Sequence, residues 1–210
     1  VLVSNDLDTL LANYWARKFK RKCRLIYDSH EYFIGVPELL HKPRVQAFWR
    51  RIEKKCLPKA DKMYTVNESI AALYRSEYNR DVRVVRNISD APETIQMKTR
   101  AELGLPEDKR ILIFQGAGIN IQRGAEELIE AMPLIPNAIL LFVGSGDVID
   151  QLKAQVTKTG QTEKIRFIDK KPYAELLNYT RLADLGLSLD KDTNINYRYS
   201  LPNKIFDYIH

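Results

Sequence analysis

Short apolar runs alternate with longer stretches whose apolar positions recur every three or four residues, and the alternation continues along almost the whole chain. Runs too short for helices, set between amphipathic stretches, predict strand-helix-strand units and a parallel sheet. In the first half, VLVSND, CRLIYDSHE, KMYTVN and VRVVRN read as strands with their exits. Between them, LDTLLANYWARKFKR, KPRVQAFWRRIEKKC and ESIAALYRSEY read as helices, the last with Asn67 as N-cap.

The polar, proline-containing segment SDAPETIQMK, residues 89–98, interrupts this rhythm and predicts a linker between a domain over 1–88 and another over 99–210. The second series opens with RAELGL, expected to be a short helix closed by Gly104. ILIFQG, AILLFVG, IRFID and LGLSL follow as strands, and RGAEELIEAMPLI, VIDQLKAQVTKT and AELLNYTRLA as helices. The fold class expected is therefore α/β, with two Rossmann-like domains and a ligand cleft between them. Val1 opens an apolar run and the last residues, KIFDYIH, carry helical spacing, so the expectation is the middle of a longer protein.

Composition narrows the class. With 45% hydrophobic and 29% charged residues the chain has an ordinary globular balance, and no stretch nears the roughly 18 apolar residues of a membrane span. Cys23 and Cys56 lack metal-ligand spacing, which predicts reduced thiols in a cytoplasmic chain and argues against zinc or a disulfide framework. The net charge of +6 divides into +7 for residues 1–98 and −1 for the rest. Much of the excess lies in ARKFKRKCR and in the helix carrying Arg50, Arg51, Lys54 and Lys55. Such a surface suits an anionic lipid leaflet or nucleic acid, or serves solubility alone. On the KPRVQAFWRRIEKKC helix, Val45, Phe48, Trp49, Ile52 and Cys56 share one face, expected to meet the core.

Candidate chemistry concentrates in ILIFQGAGINIQRGAEELIEA. A strand exits into a loop with Gly116 and Gly118, then Arg123 and a helix start. Small residues admit a ligand to the backbone, and a guanidinium grips phosphate by two prongs, so this reads as a diphosphate cradle; a turn that merely needs glycine reads equally well. VGSGD, with Gly146, repeats the design. In SLPNKIFDY, the turn Leu201, Pro202, Asn203 leads into a helix with Lys204 beside its start and Asp207 one turn inside. Asp207 suits either the two hydroxyls of a ribose or the ordinary place of a first-turn acid.

In this order and at these separations, YDSHEYF, IFQG…RGAEELIEA, VGSGD and LPNKIFDY resemble the family 4 glycosyltransferases of GT-B fold, most of all bacterial members that build surface polysaccharides. The resemblance covers nearly the whole chain. It implies two facing domains, each incomplete here, and sugar transfer from a nucleotide diphosphate sugar to a glycan or lipid-linked acceptor, with retention at the anomeric carbon, no cofactor and no metal. It places Arg123 and the LPN backbone on the donor diphosphate, Asp207 on the ribose, and His30 as the catalytic histidine facing sugar and acceptor. Asn5 and Asp6 fall on the acceptor side. The basic first half, with Arg50, Arg51, Lys54 and Lys55, would face the inner surface of the cell membrane.

Two positions depart from the pattern. Ala117 stands where many members carry a second basic residue, and Tyr199 stands where the first acid of a paired-glutamate motif belongs. A nucleotide-sugar epimerase of the same fold and a nucleotide-sugar-binding module without catalysis therefore remain alternative readings. His30 also has one, as a member of a structural network with Asp28 and Glu31.

Overall fold

The computed structural model describes residues 1–20, 22–89 and 96–209. Residues 90–95 of the expected linker, and Arg21 of the basic run, lie outside them. The chain forms two compact units, one of Val1–Asn87 with Asp192–Leu201, the other of Ile88–Lys191 with Pro202–His210.

In the first unit, β1 (Leu2–Asn5), α1 (Asp6–Phe19), β2 (Leu25–Ser29), a short α2 (Pro37–Leu40), α3 (Pro43–Cys56), β3 (Lys62–Thr65), α4 (Glu68–Tyr78) and β4 (Arg83–Val84) follow one another. The strands pair in parallel in the order β1-β2-β3-β4. Helix α1 opens with Asp6 and Asp8 and closes with Arg17 and Lys18, charges that complement its dipole. Asn67 caps α4, its side chain accepting from the Ile70 N–H at 2.9 Å. Leu7, Leu10, Leu25, Leu57 and Ile70 are fully or almost fully buried, and each stabilises the unit by roughly 1.5–3 kcal/mol.

Residues 192–201, expected in the second domain, pack on this first core. Helix α8 (Ile195–Arg198) sets Ile195 and Tyr199 against it. Asn196 binds it by polar contacts, accepting from the Tyr32 N–H at 3.1 Å and donating to Glu31 at 2.8 Å. VRVVRN yields only two paired residues, although the Val85 N–H still donates to the Thr65 carbonyl at 2.9 Å.

The stripe on α3 differs from expectation. Ile52 and Cys56 are buried and Trp49 packs partly buried against the core, but Val45 and Phe48 are 42% and 55% exposed. Glu53 points inward instead, fully buried. Its Oε2 accepts from the Tyr78 hydroxyl at 2.6 Å, while among the described residues Oε1 has no partner.

In the second unit, β5 (Arg110–Gly116), α5 (Ala125–Ala131), β6 (Ala138–Gly144), α6 (Ile149–Lys158), β7 (Ile165–Asp169), α7 (Tyr173–Leu182), β8 (Leu185–Gly186) and α9 (Lys204–Ile209) build a parallel sheet of order β7-β6-β5-β8. Strands β5 and β6 are buried on both faces, as their unbroken apolar runs demand. RAELGL is a turn, not a helix. Gly104 takes φ 64° there, and the Arg100 guanidinium ties the segment to the Lys109 and Leu182 carbonyls at 3.0 and 3.1 Å.

Burial pushes the Glu53 carboxyl up to about 7 from an ordinary value near 4.5. The folded chain thus holds this proton more tightly than the unfolded chain, so stability falls as pH rises from the lower value through the higher. Glu53→Gln is expected to raise the melting temperature at pH 8, with a gain on the order of 2–3 kcal/mol, and to change little at pH 5. Thermal unfolding at the two pH values checks it; equal shifts at both would show that ionisation of Glu53 is not the cause.

Candidate functional site

Strand order reverses in the second unit between β5 and its neighbours. The chain leaves β5 for β6 on one side and later returns to β8 on the other, which opens a crevice beyond the carboxyl ends of β5 and β8. The first unit's sheet, running β1 to β4 in sequence, has no such reversal among the described strands.

Two glycine loops line this end. The Ser145 N–H donates to the Gly116 carbonyl at 3.1 Å, and the Ile119 N–H to the Ser145 carbonyl at 3.0 Å. A Cβ on Gly144 would collide with the Gly116 carbonyl, and one on Gly146 with the backbone of Ile119. Gly146, expected at the donor, is thus placed as the contact that lets one loop lie on the other. Gly116 and Gly118 border a cavity of about 230 Å³ together with Gln115, Arg123, Pro202, Asn203 and Lys204. Leu201 belongs to the first unit.

Two cations meet in that cavity. Arg123 Nη1 donates to both oxygens of Asp190, at 3.0 and 3.2 Å. The Lys204 ammonium lies 4.1 Å from the centre of the Phe114 ring, a cation-π contact. Burial, with Arg123 adding to it and Asp190 opposing both, brings the Lys204 pKa down to about 8. Among the described residues, Arg123 and Lys204 against Asp190 leave one positive charge in a half-buried space. Such a cavity takes an anion.

Asp207 is turned inward. It is 8% exposed, and its Oδ1 accepts from the hydroxyls of Ser89 at 2.7 Å and Tyr173 at 2.8 Å. Its Oδ2 accepts from Gln115 Nε2 at 2.9 Å, and Gln115 Oε1 in turn accepts from Thr180 at 2.6 Å. The carboxylate expected to hold two ribose hydroxyls thus holds two protein hydroxyls here. It joins, through Gln115 and Tyr173, residues of two cavities. The second, of about 350 Å³, is bordered by Val143, Lys170, Lys171, Tyr173 and Leu176 and shares Gly116 and Ala117 with the first. Asp190, Gln115 and Tyr173 were absent from the sequence-based site. Asp190 had one usable signal, its place just beyond the β8 run.

In the first unit His30 follows β2, half exposed, with Nδ1 3.2 Å from Asp6 and Nε2 3.2 Å from Asp28. The His30 backbone N–H donates to Asp6 Oδ1 at 2.8 Å. Asp6 adopts φ 59° in making this contact, and burial raises its pKa. The partners are therefore Asp6 and Asp28; Glu31 bonds Asn196 instead. Asn5 is exposed beside them. On α3, Arg51, Lys54 and Lys55 are exposed, whereas Arg50 pairs with Glu77 at 3.3 Å. Among the described residues no group of three or more His, Cys, Asp or Glu is arranged to hold a metal ion, and no helix is long and apolar enough to cross a membrane.

Residues 96–189 match the family described as glycosyl transferases group 1. The chain is 28% identical over 90 residues to the lipopolysaccharide core biosynthesis glycosyltransferase LpsE of Rhizobium meliloti, and 36% identical over 72 residues to a glycosyltransferase of Methanocaldococcus jannaschii. Those stretches cover 43% and 33% of this chain but only 26% and 18% of the relatives. Among solved structures, HepE of Anabaena in complex with UDP superposes with a TM-score of 0.70 at 16% identity, over 99% of this chain and 57% of HepE. Sucrose-phosphate synthase of Thermosynechococcus elongatus does so with 0.66 at 18%, over 88% of this chain and 48% of the synthase. The chain has the GT-B fold of these structures, and its residues 96–189 are similar to the group 1 glycosyl transferases.

Proposed function

We propose that the second unit binds a nucleotide diphosphate sugar and that the protein to which it belongs transfers the sugar, with retention, to a glycan or lipid-linked acceptor in bacterial surface polysaccharide synthesis. The observation that carries this is the Arg123–Lys204 cavity at the strand reversal, beside a second cavity that shares Gly116 and Ala117 with it. A diphosphate fits the first, and a nucleoside the second. HepE has been solved with UDP and with UDP-glucose, and LpsE serves lipopolysaccharide core synthesis, which supports both the donor class and the acceptor class.

In this mechanism the bond from the anomeric carbon to the diphosphate oxygen breaks, and negative charge builds on the departing phosphate. Arg123 and Lys204 stabilise it, and fixed cations in a partly dehydrated cavity do so more strongly than water would. The acceptor hydroxyl gives its proton to that phosphate as its oxygen joins the anomeric carbon. His30, oriented by Asp6 and Asp28, positions sugar and acceptor.

Calorimetry with UDP-, GDP- and ADP-sugars is expected to show binding of at least one of them. Arg123→Ala then weakens it by on the order of 1.5–3 kcal/mol, the value of a charge-assisted hydrogen bond, while His30→Ala leaves it nearly unchanged. Equal losses would defeat this division of labour. Donor hydrolysis by the full-length protein separates an enzyme from a binding module.

The exposed basic side of α1 and α3 is proposed to lie on the inner surface of the cell membrane. Arg51, Lys54 and Lys55 face solvent, and Trp15, 45% exposed on α1, carries Lys18 at 4.1 Å and Lys55 at 5.7 Å from its ring. Each well-placed cation contributes about 1 kcal/mol at an anionic leaflet. Co-sedimentation at low salt is expected to favour anionic over neutral vesicles, and the preference to shrink when Arg51, Lys54 and Lys55 become Gln. Absence of any preference would make this face a solubility feature.

A further inference from the structure

We propose that Asp190 is a positioning residue for the donor diphosphate: a fixed counter-ion that holds the Arg123 guanidinium beside Lys204, so that both cations face one cavity before the ligand arrives. The inference rests on the nucleotide reading above and goes beyond it, because Asp190 itself does not border the cavity.

The segment bearing Asp190 is stitched down on both sides. Gly124 lies so close to Leu189 that a Cβ there would strike its side chain and carbonyl. The Lys191 N–H donates to the Gln122 carbonyl at 3.0 Å, and the Lys191 ammonium pairs with Glu127. Leu189 and Lys191 thus lock the strand exit against the loop that carries Arg123, and the carboxylate between them has one place to be. Its side chain is 7% exposed against 26% for Arg123, so the pairing is screened far less than a surface ion pair.

The charge arrangement gives the pairing a purpose. Two cations sharing a half-buried cavity repel each other, and the cheapest escape is for the lysine to shed its proton or the arginine to swing to water. Asp190 opposes both. The other groups around the Lys204 ammonium are Arg123, from the loop before α5, and the Phe114 ring of β5. Asp207, on the same helix as Lys204, is engaged by Ser89, Gln115 and Tyr173.

The test uses the 210-residue chain with inorganic pyrophosphate, UDP, GDP and ADP as probes, titrated by calorimetry from about pH 6.5 to about 9.5, and follows the Lys204 ammonium by NMR without ligand. Wild-type binding is expected to weaken as pH rises through about 8, where Lys204 loses its proton. In Asp190→Asn the Lys204 titration and the alkaline loss of binding both move about one pH unit lower, with affinity at neutral pH falling on the order of tenfold; Asp190→Glu restores most of both. Two results overturn the proposal while leaving the nucleotide reading intact. One is binding by Asp190→Asn as tight as wild type or tighter, which makes Asp190 a competitor for Arg123. The other is a uniform loss at every pH with the Lys204 titration unmoved, which makes it a structural residue only. A folded wild type that binds none of the four probes removes the nucleotide reading, and this proposal with it.

Discussion

Strand β5 is paired on both edges and buried on both faces, and that double constraint organises the second unit. A strand so enclosed can present polar groups only at its ends. At the carboxyl end Gln115 and Gly116 begin the loop to Arg123, β8 delivers Asp190 alongside, and Gln115 docks α9 through Asp207. The cavity exists because the connections that leave β5 and β8 diverge there, which is the general reason that open parallel sheets bind ligands at a reversal of strand order.

Charge in that crevice follows different rules from charge on the surface. The first half of the chain carries the excess of basic residues, yet most of these are exposed and screened by solvent. The second half is net acidic and still holds the anion cavity. At an effective dielectric near 20, two unit charges about 4 Å apart interact by roughly 4 kcal/mol, against about 1 kcal/mol in water. Three well-placed charges therefore outweigh a larger number spread over helices, and a count by halves of the sequence does not reveal the site.

Elements with a strong period were legible in advance. β5 and β6 announce themselves by unbroken apolar runs, and α4 by its amphipathic spacing behind the Asn67 cap. RAELGL failed because six residues cannot offset the cost of starting a helix, while Arg100 offers the same backbone an alternative set of bonds. Segment 192–201 failed for another reason: nothing local says which core a short helix will join, and Asn196 settles it through bonds to Glu31 and Tyr32. On α3 the spacing correctly marked Ile52 and Cys56 but could not show that the core stops short of Val45 and Phe48, or that Glu53 turns inward.

The sequence by itself determined the alternation of strands and helices, the glycine loops and the candidacy of Arg123, Lys204 and Asp207, since local spacing and residue chemistry suffice for these. Tertiary structure alone decided how they combine. Asp207 proved to be a hub for Ser89, Gln115 and Tyr173, and burial, with Arg123 adding to it, brought the Lys204 pKa down to about 8. Asp190 gained its role only from lying 3.0 Å from Arg123, a residue 67 positions away along the chain. Burial and electrostatic coupling depend on distance through space, and the sequence records distance only along the chain.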